Sequence, residues 1–162
     1  MVNSTLLRLA LMAALVFSGQ AALAAGGGAN EMPALGSPPE DPNFTIGRQA
    51  VEAKNWQTAV DAFGKVVAKD PRNADGFNML AYSYRKMGNL DMAFKNYDEA
   101  LRIDPKHRAA HEYLGEAYLM AGNLAKAEEH LSTLDKLCFF GCEEFRELKQ
   151  KVAEYKQKAA SK

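Results

Sequence analysis

The chain repeats itself every thirty-four residues. Asn55-Trp56, Asn89-Leu90 and Asn123-Leu124 stand one period apart, and each pair is followed at the same offset by an alanine: Ala59, Ala93 and Ala127. Other columns keep the register. Ile46, Leu80 and Leu114 are each followed by a small residue, Gly47, Ala81 and Gly115; Ala50, Tyr84 and Tyr118 align, as do Phe63, Tyr97 and Leu131. Pro71 and Pro105 follow Asp70 and Asp104 in the same phase. A period of this length constrains the fold more than composition can, because one such unit cannot bury its apolar face alone and must stack on its neighbours. Small residues such as Ala81, Gly115, Ala93 and Ala127 let two helix backbones approach, while Phe63, Tyr84 and Tyr97 fill the space between them. Gly88 and Gly122 stand where a first helix ends and a left-handed residue is wanted. Pro71 and Pro105 mark the boundaries between units.

In period and columns the chain resembles the tetratricopeptide repeat family, over residues 40–141 as three units, 40–73, 74–107 and 108–141. The middle unit carries the pattern most fully, with Leu80, Ala81, Tyr84, Gly88, Ala93, Tyr97, Ala100 and Pro105 in place. The outer units drift, as terminal repeats do: Ala50 replaces the large aromatic, Lys54 stands where the other units have glycine, and Phe139 stands where proline is usual. The resemblance implies an all-α fold, a right-handed α-solenoid of three helix-turn-helix units. Asp41-Pro42 reads as an N-cap followed by a first-turn proline, which starts the first helix there. Residues 142–162 read as a capping helix, with Phe145, Leu148, Val152 and Tyr155 on one apolar stripe and Glu143 and Glu144 at the positive end of its dipole.

The N-terminus speaks to compartment. Arg8, the apolar run from Leu9 to Phe17 and the small-residue sequence Ala22-Leu23-Ala24 have the layout of a secretory signal peptide, residues 1–24, cleaved after Ala24. Its apolar core is shorter than the ~20 residues that span a bilayer, so no membrane insertion is expected after cleavage. Residues 25–39, rich in glycine and proline, read as a flexible linker. The protein is expected to be exported, to the periplasm first and to the medium as the alternative. Twenty basic and twenty acidic residues cancel, so no excess of positive charge points to nucleic acid.

Cys138 and Cys142 are the only cysteines. They straddle the joint between the third unit and the capping helix, with Gly141 permitting the turn. In an oxidising compartment a disulfide is the first expectation, a staple where the usual proline is missing. Two other readings stay open: a soft metal such as Cu(I) held by the thiolates, or a reactive thiol at the helix N-terminus, Cys142. A thiol-based copper or redox protein is therefore the alternative function.

No phosphate loop, paired metal-binding histidine motif or nucleophile elbow is present, so the chain is not expected to be an enzyme or to carry a cofactor. His107 and His111 lie four apart, with His130 the remaining histidine; they read as surface or packing residues rather than zinc ligands. Tyr82 stands two residues before Tyr84 and cannot share its core face. The family resemblance implies that the first helix of each unit lines a concave groove that holds a peptide segment or a partner protein. Carried over by position, the groove residues are Phe44, Arg48, Val51 and Glu52 in the first unit. The second unit supplies Asn78, Tyr82, Arg85 and Lys86, and the third Glu112, Glu116, Leu119 and Met120. The Lys and Asn set with which some members clamp a carboxylate terminus is missing. Arg48, Arg85 and Lys86 set against Glu112 and Glu116 suggest a ligand of mixed charge. Self-association through the outer helices stays open.

Overall fold

The computed structural model describes residues 41–161, so the expected signal peptide and linker lie outside the described residues. Seven helices follow: α1 (Pro42–Glu52), α2 (Trp56–Lys69), α3 (Ala74–Lys86), α4 (Leu90–Ile103), α5 (Arg108–Met120), α6 (Leu124–Leu137) and α7 (Glu143–Ala160). The architecture is all-α, three antiparallel helix pairs closed by α7.

The asparagine column explains the turns. Asn55, Asn89 and Asn123 each donate a backbone N–H to a carbonyl of the helix just ended, on Ala50, Tyr84 and Tyr118 at 2.8, 3.0 and 2.8 Å. Their side chains then accept from Thr58, Met92 and Lys126 in the helix just begun. One residue type thus satisfies orphan groups at two helix ends, each cap being worth about 1 kcal/mol. The residue before it is left-handed in every unit: Gly88 at φ 79°, Gly122 at φ 78°, and Lys54 at φ 56°. At the start of α1, the Asn43 N–H donates to the Asp41 carboxylate at 2.8 Å, with Pro42 in the first turn. Lys69 reaches the same carboxylate at 2.7 Å and, with the Asn43 bonds, holds Asp41 below the usual carboxylate range.

Packing follows the large and small columns. A Cβ on Gly47 would stand 2.6 Å from the Phe63 ring, and one on Gly115 would stand 2.6 Å from the Leu148 side chain. Both helices are therefore seated as closely as glycine alone allows. Phe63, Tyr97 and Leu134 are fully buried, each at the centre of one of three apolar clusters running along the stack. The third cluster is completed by Leu148 and Val152 of α7, so the last helix closes a core that would otherwise be open.

Contacts between non-consecutive helices define the two layers. α3 touches α5 and α5 touches α7, whereas the even-numbered helices pack on the odd ones and not substantially on one another. The odd-numbered helices therefore form the inner, concave layer. Among the described residues no helix is long and apolar enough to cross a membrane.

Candidate functional site

On the inner layer the rings of Trp56, Tyr82 and Tyr113 form a row. Trp56 meets Tyr82 edge-on at 6.1 Å between centroids, and Tyr82 meets Tyr113 at 5.0 Å. Cations lie on this row: Arg85 stands 5.2 Å from the Tyr82 centroid and 5.5 Å from that of Tyr113, and Lys86 stands 5.6 Å from Trp56 and 5.8 Å from Tyr82. Tyr82 is thus off the core face, as its spacing from Tyr84 implies. Rings of this kind offer a ligand apolar area, a polar tip and an electron-rich face at once.

The expected groove residues divide into three groups. Arg48, Glu52, Lys86 and Met120 are exposed, with Tyr82 and Glu116 half-buried. Phe44, Val51 and Leu119 are partly buried, each packed onto an apolar cluster; Phe44 sets its ring edge-on against Phe63 at 5.3 Å. Asn78, Arg85 and Glu112 stand on the inner-layer helices but are only 3%, 6% and 4% exposed.

Arg85 also overturns the expected separation of charge. Its guanidinium crosses from α3 to form an ion pair with Glu116 of α5, while its Nε is buried without a hydrogen-bond partner. The pair bolts two repeats together beneath the aromatic row, so Arg85 acts as part of the floor. Burial, with no hydrogen-bond partner for its hydroxyl, raises Tyr97 well above its ordinary range.

Two hollows flank α5 on its α7 side. Toward the C-terminal ends of these helices, a cavity of about 360 Å³ is lined by Leu119, Met120 and Tyr155, with Lys151, Lys158, Arg85, Glu116 and Glu154 around them. Toward the N-terminal ends, a second of about 280 Å³ is lined by Ala109, Tyr113, Glu112, Glu143, Glu144 and Glu147. Burial, a hydrogen bond with Glu147 and the surrounding carboxylates push Glu112 up to about 8. Burial first, then Glu112 and Tyr82, push the Tyr113 phenol to about 12.

Trp56, Tyr113, Lys151, Tyr155 and Lys158 were not expected at this surface. Trp56 sits at the start of α2, in a column read only as a turn marker. Tyr113 shares its column with Met79, which packs on the core. Lys151 and Lys158 stand four residues before and three after Tyr155, the last member of the apolar stripe expected on α7, and this spacing was the signal available.

The histidines serve structure. His107 caps α5 by accepting from the Ala110 N–H at 3.2 Å, and its other ring nitrogen meets Asp75 at 3.0 Å; that bond lowers the Asp75 carboxyl. His111 Nε2 donates to the Pro105 carbonyl at 3.1 Å, which leaves its Nδ1 to accept from His130 Nδ1 at 2.9 Å. The Tyr118 ring stacks on His130. Burial first, then His111, lowers His130 to about 4.

Cys138 caps the end of α6 and Cys142 precedes α7; their Cα atoms are 5.5 Å apart and their sulfurs are joined. Phe139 and Phe140 stand at the loop tip, 91% and 99% exposed. Among the described residues no three His, Cys, Asp or Glu side chains are placed to hold a metal ion.

A family model described as "Tetratricopeptide repeat" matches residues 44–104 and 78–137. The small glutamine-rich tetratricopeptide repeat-containing protein 2 of Mycosarcoma maydis is 31% identical over 83 residues, 51% of this chain and 24% of that protein. The tetratricopeptide repeat-containing thioredoxin TTL4 of Arabidopsis thaliana is 30% identical over 77 residues, 48% of this chain and 11% of that protein. The chain thus matches under a quarter of either relative's length. Among solved structures, the TPR2B domain of yeast Sti1 in complex with a pHsp70 peptide superposes with a TM-score of 0.66 at 21% identity, covering 72% of this chain and 94% of that one. The Yersinia enterocolitica type III secretion chaperone SycD, in complex with a peptide of the translocator YopD, gives 0.61 at 23% identity, covering 70% and 86%. At these identities the structural likeness carries the fold.

Proposed function

Because the chain belongs to the tetratricopeptide repeat family, we propose that it is a non-enzymatic interaction module, exported to the periplasm, that holds a peptide segment or partner protein on its concave layer. The observation that carries this reading is the row Trp56–Tyr82–Tyr113 with Lys86 above it. Aromatic rings flanked by cations and small hollows line this layer, with Tyr113 also packed on the second apolar cluster and Trp56, Tyr82 and Lys86 outside it. Such rings and cations are what a recognition surface concentrates. The Sti1 and SycD structures carry peptides, which supports the same use of this fold here. Arg85 anchors the floor, and the contacting set is Arg48, Tyr82, Lys86, Tyr113 and Met120, with Lys151 and Lys158 across the gap.

Export completes the reading. Removal of residues 1–24 would release the chain into an oxidising compartment, where the Cys138–Cys142 bond clamps α7 to the last repeat. A loop this short gains about 2 kcal/mol on the chain-entropy account.

Selection of a randomised nonapeptide phage library against the full chain tests the surface. Selected peptides are expected to lose at least tenfold in affinity with Tyr82→Ala and with Lys86→Glu, and to keep it with substitutions at Asp61 or Arg102 on the outer helices. Equal losses from outer and inner substitutions would overturn the reading. The mass of the exported protein tests the rest: loss of residues 1–24 and no thiol open to alkylation before reduction are expected.

A further inference from the structure

Helix α5 presents Glu112 and Glu116 one turn apart, and the structure treats them differently. Glu116 receives the Arg85 guanidinium, which also lies on the Tyr113 ring. Glu112 points into the hollow between α5 and α7, beside the same Tyr113, with Glu143, Glu144 and Glu147 around it. It is only 4% exposed, and its one partner is another acid, Glu147. No N–H or hydroxyl among the described residues donates to it. Its carboxyl opens on the hollow, where a cation entering the site would supply the charged donor that the chain's own residues do not. Arg108 reaches Glu144 at 3.6 Å, but from the rim and half-exposed, and it leaves Glu112 unserved.

We propose that this hollow receives a basic side chain of the bound segment, arginine before lysine, so that the partner of the concave layer is a peptide carrying a cationic residue. This rests on the peptide-binding reading above. The α3–α5 seam shows the chemistry already in use: carboxylate plus tyrosine ring holding a guanidinium. The α5–α7 seam repeats the carboxylates and the ring but has no buried cation, only Arg108 at its rim on Glu144. Planar guanidinium suits both a paired carboxylate edge and a ring face, which favours arginine. The carboxylates are not set for chelation, since among the described residues no three acidic or other ligating side chains are placed to hold a metal ion.

A pH dependence follows. The groups facing the hollow are Glu112 and Tyr113 from α5 and Glu143, Glu144 and Glu147 from α7, with Glu116 and Arg85 beyond Tyr113 and Arg108 at the rim. The Glu112–Glu147 pair holds a proton near neutrality, and an entering guanidinium displaces it. Binding therefore tightens as pH rises from 6 to 8.

The test uses the full chain and nonapeptides from the library selection. Expected are enrichment of arginine, a tenfold or larger loss when that arginine is replaced by citrulline, comparable losses with Glu112→Gln and with Glu147→Gln, and amide shifts at Ala109, Tyr113 and Glu147. Glu112→Gln is isosteric and keeps the fold, as its thermal transition will show. Peptides without a basic residue that shift the Tyr82 and Lys86 amides would overturn this inference and leave the concave-layer reading standing. Selected peptides that shift no inner-layer amide would overturn both. Calcium chloride alone shifting the same three amides, with arginine and citrulline peptides equal, would replace the basic side chain by a metal ion.

Discussion

The seam between α3 and α5 and the seam between α5 and α7 share a helix and much of their side-chain chemistry, yet only the first is closed. In the first, Arg85 satisfies Glu116 over the rings of Tyr82 and Tyr113. In the second, Leu148 is pressed against Gly115 to close the apolar side, while the carboxylates at the N-terminal end have only the half-exposed Arg108, which reaches Glu144 from the rim. Close packing and charge satisfaction are thus separate tasks here. Among the described residues the apolar packing runs through all three clusters, whereas a buried cation meets a carboxylate at the α3–α5 seam and not at the α5–α7 seam.

Breaking the closed seam should cost most. Glu116→Ala leaves a buried guanidinium without its partner, and a loss of about 3 kcal/mol is expected by chemical denaturation. Replacing both members, Arg85→Met with Glu116→Leu, should recover most of it, which distinguishes a bolt from a binding residue. Next comes the apolar side of the open seam. Gly115→Ala drives a methyl into Leu148 and should cost about 2 kcal/mol, with hydrogen exchange rising along α7 more than along α1.

The unsatisfied acid should act in the opposite direction. A carboxyl raised from 4.5 to about 8 binds its proton more tightly in the folded state. Its contribution is complete below pH 4.5 and is lost as pH rises through 8. Glu112→Gln is therefore expected to stabilise the protein at pH 8, by about 1 kcal/mol after allowance for solvent, and to change little at pH 5. His130 runs the other way. Its folded value lies near 4, below the ordinary 6.5, so stability is full above 6.5 and falls as pH drops toward 4; His130→Gln should flatten that acid limb. The smallest effect belongs to a turn. Lys54 holds the left-handed position that glycine fills in the other units, so Lys54→Gly should gain up to ~1 kcal/mol without altering either seam.

Much of this was legible in the columns. Gly47 against Phe63 and Gly115 against Leu148 are the small and large positions of a thirty-four-residue period, and the asparagine column announced every turn within a unit. What a column cannot state is which residue lies across from it. Arg85 looks like an exposed groove cation from its spacing, and its burial follows only from Glu116 standing opposite, thirty-one residues on. Phe44 and Val51 keep groove positions but pack against the first cluster, Phe44 edge-on to the Phe63 ring. Trp56 and Tyr113 escaped because their columns elsewhere hold Leu90, Leu124 and Met79, which pack on the core. Lys151 and Lys158 escaped because a capping helix is read for the stripe that it buries.

The most direct test of the account is an amide chemical-shift map of the full chain with a library-selected nonapeptide at saturation. The account predicts perturbations confined to α1, α3, α5, α7 and Trp56, centred on Tyr82, Lys86 and Tyr113. Perturbations centred on α2 beyond its first turn, on α4 and α6, or on the Phe139–Phe140 tip would contradict it.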